Sequence, residues 1–88
     1  MKYSIYKHTT PEGKIYIGLT GDKPEYRWNN GKGYENNEAF FQAILTFGWR
    51  NIKHEILETT ATLEEAQERE AYYILHFRSH LSAYGYNV

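Results

Sequence analysis

The 88-residue chain has no cysteine, only two prolines, and no apolar run longer than a few residues. The missing thiols exclude disulfide staples and thiolate metal sites, structural zinc of the finger type among them. The missing apolar runs exclude a membrane-spanning helix, and Met1-Lys2-Tyr3-Ser4 leads into no secretory h-region. These absences read as a soluble, cytoplasmic protein. A chain of this length makes one domain, residues 1–88, burying about 60 to 65% of the surface that the unfolded chain exposes.

A surplus of positive charge is also missing. The formal net charge is −1, which excludes a strongly basic nucleic-acid binder but conceals an uneven distribution. Residues 1–34 carry six Lys/Arg against three Asp/Glu, and residues 35–88 carry four against eight. Phosphate contacts depend on local rather than total charge, so a polyanionic partner fits the first third of the chain, with modest affinity and strong salt dependence. What is abundant is aromatic: 17% of residues, nine of them tyrosine.

Alternation from Tyr3 to His8 and from Lys14 to Gly18, across Thr9-Thr10-Pro11-Glu12-Gly13, predicts a β-hairpin with a five-residue loop. A loop symmetric about Pro11 sets Tyr6 opposite Tyr16, Ser4 opposite Gly18 and His8 opposite Lys14 on one face. Tyr3, Ile5, Ile15 and Ile17 take the other, purely core face. The tyrosine face is polar and aromatic, and Gly18 leaves room beside the rings. Lys23 to Trp28 predicts a short helix with proline in its first turn, and Asn29 to Asn37 a polar loop. Gly31-Lys32-Gly33 lacks the Walker spacing of a phosphate cradle. Phe40, Phe41, Ile44, Leu45 and Phe47 have helical period and end at Gly48. Ile52 to Leu57 alternates as a third strand. Thr62-Leu63-Glu64-Glu65 fits a capping box opening a last helix to about Arg78, with Leu63, Ala66, Tyr73, Ile74 and Phe77 as its buried stripe.

On that helix Glu70 falls in the middle of the apolar stripe, unlike Glu64, Glu65 and Glu68. A carboxylate withdrawn from water needs a cation, so Glu70 reads either as half of a structural ion pair, with Arg27 or a lysine, or as a metal or catalytic group. His76 and His80 sit at a fraying helix end and read as surface. No nucleophile elbow and no cysteine support acyl transfer. Two tyrosines, an arginine, a lysine and one glutamate suit phosphoryl chemistry assisted by a hard cation.

Ser4-Ile5-Tyr6, then Tyr16-Ile17-Gly18, Tyr26-Arg27-Trp28, Glu68-Arg69-Glu70-Ala71-Tyr72-Tyr73-Ile74 and Gly85-Tyr86-Asn87 stand in order along the chain. This pattern resembles the GIY-YIG endonuclease family, most closely the catalytic module of phage and intron-encoded homing endonucleases, and spans essentially the whole sequence. The resemblance implies a small α+β domain, a three-stranded antiparallel sheet flanked by helices in the order β-β-α-α-β-α. It implies an endonuclease that cuts duplex DNA with a single Mg²⁺ or Mn²⁺ and leaves a 5′-phosphate. Tyr6 and Tyr16 would bracket the attacking water, Arg27 would hold the scissile phosphate, and Glu70 would be the sole protein ligand of the ion. Asn87 would brace the site. Lys14 matches a lysine found near the nucleophile in part of the family; on the tyrosine face, where the hairpin register places it, its charge would lower a phenol pKa from about 10 toward neutrality.

Two departures stand out. Ser4 replaces the first glycine of the motif, and no histidine follows Arg27, where Lys32 or Tyr34 stands in its neighbourhood. The chain also ends one residue after Asn87, leaving no room for the DNA-recognition domain that such modules often carry. The alternative is a module of the same fold that binds nucleic acid or docks without cutting, and retention of both Arg27 and Glu70 speaks against it.

Overall fold

The computed structural model describes residues 2–88. Strands β1 (Tyr3–Thr9) and β2 (Ile15–Thr20) form the hairpin. They are followed by α1 (Pro24–Trp28), a kinked 3-10 segment (Asn29–Tyr34), α2 (Glu38–Phe47), a 3-10 turn (Trp49–Asn51), β3 (Lys53–Thr60) and α3 (Leu63–Phe77). The sheet is three-stranded and antiparallel in the order β2-β1-β3. Fold class and element order are those expected. No helix among the described residues is long and apolar enough to cross a membrane.

The hairpin register differs from the expected one by two residues. Tyr6 pairs with Gly18, His8 with Tyr16 and Ser4 with Thr20. The loop closes through Thr10 N–H to the Lys14 carbonyl at 2.9 Å and Gly13 N–H to the Thr10 carbonyl at 2.8 Å. Gly13 takes the left-handed conformation, φ 85°, so the turn centres on Glu12 rather than Pro11. A two-residue slip exchanges neighbours without exchanging faces, and the two faces stay as the alternation assigns them.

One face, with Ile5, Ile17 and Ala66 fully buried, packs on α3 together with Leu57, Tyr73, Ile74 and Phe77. The opposite face holds Tyr6, Tyr34, Phe40, Ala43, Ile44, Ile52 and Tyr86, with Tyr16, Trp28 and Trp49 packed against them. Two expected core positions are instead exposed, Leu45 at 63% and Leu63 at 43%; the small Ala43 and Ala66 are the residues that α2 and α3 bury there, letting each helix sit close.

Helix starts follow their caps. Asn37 Oδ1 accepts from Phe40 N–H at 3.1 Å while its Nδ2 donates to the Tyr86 carbonyl at 2.8 Å, joining α2 to the C-terminal tail. Thr62 Oγ1 accepts from Glu65 N–H at 3.2 Å, as the capping box predicts. On β3 a bulge opposite Ile5/Tyr6 sends Leu57 and Glu58 both toward α3. Glu58 there accepts from Arg69 Nε and from the Tyr73 hydroxyl, each at 2.9 Å.

The C-terminal tail closes the outer edge of β2. Ile15 N–H donates to the Tyr84 carbonyl at 3.1 Å and Tyr86 N–H to the Ile15 carbonyl at 2.9 Å. The Asn87 amide acts as a substitute peptide, donating to the Ile17 carbonyl and accepting from Ile17 N–H, both at 2.8 Å. Gly85 permits this approach, since a Cβ there would collide with the Ile15 carbonyl oxygen and with Ser79.

Candidate active site

The tyrosine face is built on β1 and β2 and roofed by α1 and the kinked segment. Tyr6 is 1% exposed, and its hydroxyl end lies directly over Gly18 on the neighbouring strand. A Cβ at Gly18 would stand 2.5 Å from both Cζ and the hydroxyl oxygen of Tyr6, so the glycine of this motif is the floor on which the first tyrosine rests. Tyr16 is half-buried and stacks on Phe40, with centroids 4.9 Å apart.

Arg27 is held from behind. Its Nη1 donates to the Gly33 carbonyl at 2.7 Å, and its guanidinium lies 4.7 Å from the centre of the Tyr34 ring. Asn29, Asn30 and Gly31 in the left-handed region turn the chain back so that Gly33 and Tyr34 meet Arg27. The segment expected as a polar loop is thus folded against the core, with Tyr34 only 2% exposed.

Arg27 and Glu70 both act on the two phenols. Burial pushes the Tyr6 hydroxyl up; a hydrogen bond with Tyr34 and the charge of Arg27 oppose the rise, while Tyr16 and Glu70 add to it. Burial likewise raises Tyr16, against the charge of Arg27 and a hydrogen bond with it, and Glu70 raises it further. Neither phenol moves toward neutrality, contrary to the expectation for Lys14. That lysine sits in the hairpin turn, opposite neither tyrosine, with Nζ 6.0 Å from the Tyr86 ring centre. The cation that tempers the phenols is Arg27.

Glu70 is half-buried on α3, and burial alone raises its carboxyl pKa. Among the described residues the ion pairs join Lys7 and Lys53 to Glu55 and Arg69 to Glu58; Glu70 makes none. The structural pair with Arg27 is therefore not formed. Among the described residues no group of three or more His, Asp or Glu side chains is placed to hold a metal ion.

A match to the family model described as GIY-YIG catalytic domain runs from residue 2 to residue 87. The chain belongs to the GIY-YIG nuclease family. No curated protein and no solved structure matches it. In this GIY-YIG domain, Tyr6, Tyr16, Arg27 and Glu70 are brought together, Gly18 underlies them, and Asn87 braces Ile17 between the second tyrosine and Gly18. Lys32 is exposed on the kinked segment.

Sequence reasoning missed His8 and His54. His8 is completely buried, its Nδ1 2.8 Å from His54 Nδ1 and its Nε2 2.7 Å from the Tyr34 hydroxyl. The available signal was its place two residues beyond Tyr6 on the same strand face. Burial first, then the neighbouring His54 and Arg27, lowers the His8 pKa to about 3. The unfolded chain takes up this proton below about pH 6.5 and the folded one does not. His8 therefore contributes stability that is complete above about pH 6.5 and lost progressively as the pH falls toward 3. Urea midpoints measured across that window should fall with pH in the parent and fall less steeply in His8→Asn; equal slopes would contradict the assignment.

Proposed function

We propose that this GIY-YIG domain is a divalent-metal-dependent endonuclease that hydrolyses DNA phosphodiester bonds. The observation that carries the reading is a half-buried carboxylate, Glu70, without an ion-pair partner among the described residues, whose charge acts on the same two tyrosines as that of Arg27. An isolated buried carboxylate is costly unless a cation joins it. A single carboxylate suits Mg²⁺ or Mn²⁺, which keep several waters and take their remaining ligands from substrate phosphate. When bound, such an ion would supply charge neutralisation at the phosphate and acidify coordinated water.

The chain's own groups then divide the work. Arg27, its guanidinium braced by Gly33 and Tyr34, is oriented to hold the scissile phosphate and to meet the negative charge that grows on it. Tyr6 and Tyr16 bracket the attacking water. Lys14 and Lys32, outside this group, take the weaker role of backbone phosphate contacts, in keeping with the basic first third of the chain.

The test is incubation of the purified domain with supercoiled plasmid in Mg²⁺, Mn²⁺ or chelator. Nicking that requires the metal and vanishes with chelator is the expected result. A protein that binds the plasmid and cuts it under no metal would instead be a non-catalytic module of this fold.

A further inference from the structure

The Tyr34 ring on which Arg27 rests ends the kinked segment, where Asn29, Asn30 and Gly31 all take the left-handed conformation. Neither a strand nor an α-helix carries it. Its neighbours are other rings: Phe40 and Tyr16 stand edge-on to it with centroids 4.8 and 5.2 Å away, and Trp49 lies 6.0 Å away. Apolar contact is non-directional, so such walls limit the tilt of the ring and leave it free to slide along its own long axis. A directional restraint acts at the far end, where the Tyr34 hydroxyl oxygen lies 2.7 Å from His8 Nε2.

His8 is itself immobilised. It lies on β1, the central strand, paired with Tyr16 on β2 and with His54 on β3, and it is completely buried. Its Nδ1 lies 2.8 Å from His54 Nδ1. A carbonyl oxygen only accepts, so the 3.0 Å contact between His54 Nε2 and the Trp49 carbonyl is a bond that His54 donates. Both nitrogens of His8 are therefore engaged, one toward β3 and one toward Tyr34. A buried polar group adds little net stability even when it is satisfied. What a satisfied buried network supplies is a single arrangement of the groups it joins. Here the group at its outer end is the ring that carries Arg27: the guanidinium lies 4.7 Å from the ring centre, and Nη1 donates at 2.7 Å to the carbonyl of Gly33, the residue before Tyr34.

We propose that His8 is a positioning residue of the nuclease site. Through the Tyr34 hydroxyl it fixes how far the Tyr34 ring and the adjoining Gly33 carbonyl project from the core, and so sets the aim of Arg27 at the phosphate. This rests on the nuclease reading and adds the anchor that makes one orientation of Arg27 persist. His8 touches neither phosphate nor water in this role and acts only through Tyr34.

Three substitutions test the anchor. Tyr34→Phe keeps the ring under the guanidinium and removes only the tethered hydroxyl. His8→Asn keeps a polar group near the Nδ1 position and withdraws the one that reaches Tyr34, whereas the longer amide of His8→Gln still reaches it. In the nicking assay Tyr34→Phe and His8→Asn should each lower kcat about ten- to a hundredfold, with KM and the salt slope of DNA affinity unchanged. His8→Gln should recover part of the loss. The double variant should be no slower than the slower single one, because both changes break the same bond. Parent-like kcat in Tyr34→Phe, a His8→Gln protein no faster than His8→Asn, or a double variant whose defect is the product of the two single ones overturns the proposal. Tyr34→Phe carries the test alone should His8→Asn not fold. In ¹H–¹⁵N spectra without DNA, the Arg27 Nε–H signal of the parent should be displaced by the Tyr34 ring and move toward that of an exposed arginine in Tyr34→Phe; an unmoved signal overturns the anchor. A parent that cuts no DNA sinks the nuclease reading instead, and this signal still decides whether the tether holds Arg27.

Discussion

Glu70→Gln removes metal-dependent nicking, to below about a thousandth of the parent rate, and leaves the protein as stable as the parent or more so. The two halves of this result have one cause. Glu70 is half-buried, and burial alone raises its carboxyl pKa; no ion pair in the described residues offsets that cost. A carboxylate kept there works against folding at neutral pH. The amide is nearly isosteric and uncharged, so it removes the cost while removing the group on which the cation depends. Nicking rates in saturating Mg²⁺ and Mn²⁺, beside urea midpoints in chelator, measure the two halves. Were Glu70 one partner of a structural ion pair, the substitution would lower the midpoint sharply, because a buried cation would be left alone. A variant with a falling midpoint and intact nicking would thus reverse the assignment.

The elements legible in the sequence are those fixed by local pattern. Alternation gives both hairpin strands and their faces, and the Thr62 cap opens its helix where Oγ1 accepts a backbone N–H group. Glu70 is legible because a glutamate on an apolar stripe breaks the pattern around it. What local pattern does not contain is the tertiary placement of short polar segments. The hairpin register turns on which residue takes the left-handed conformation, and Gly13 rather than the more conspicuous Pro11 sets it. The segment from Asn29 to Tyr34 has the composition of a solvated loop, yet consecutive left-handed residues fold Tyr34 into the core and set the Gly33 carbonyl behind Arg27. His8 and His54 are 46 residues apart and meet only because β3 pairs with β1, a partner choice that the spacing of the strands leaves open. Lys14 shows the converse: its place on the tyrosine face, two residues before Tyr16, predicts a charge beside the phenol, and the turn geometry sends it toward Tyr86 instead.

Arg27→Ala lowers the nicking rate about a hundred- to a thousandfold, and Arg27→Lys does not restore it. The guanidinium does three things at once: it donates to the Gly33 carbonyl, lies across the Tyr34 ring and tempers the pKa of Tyr6, Tyr16 and Tyr34 against burial. A lysine keeps the charge and lacks the planar fork that can be braced by Gly33 while another edge faces phosphate. The two substitutions therefore separate charge from orientation. Arg27→Ala should reduce the slope of log affinity for DNA against log salt by about 0.9, one phosphate contact, whereas Arg27→Lys should retain the slope and still cut slowly. Gly33→Ala gives an independent approach to the same point. Its new Cβ would stand 2.7 Å from Arg27 Nη1 and closer still to the Arg27 carbonyl oxygen, so the arginine is displaced with its charge intact. That variant should bind DNA with the parent salt slope and cut as slowly as Arg27→Lys. If Arg27→Lys or Gly33→Ala cuts at the parent rate, the orientation of Arg27 is immaterial and the residue serves only as a source of positive charge.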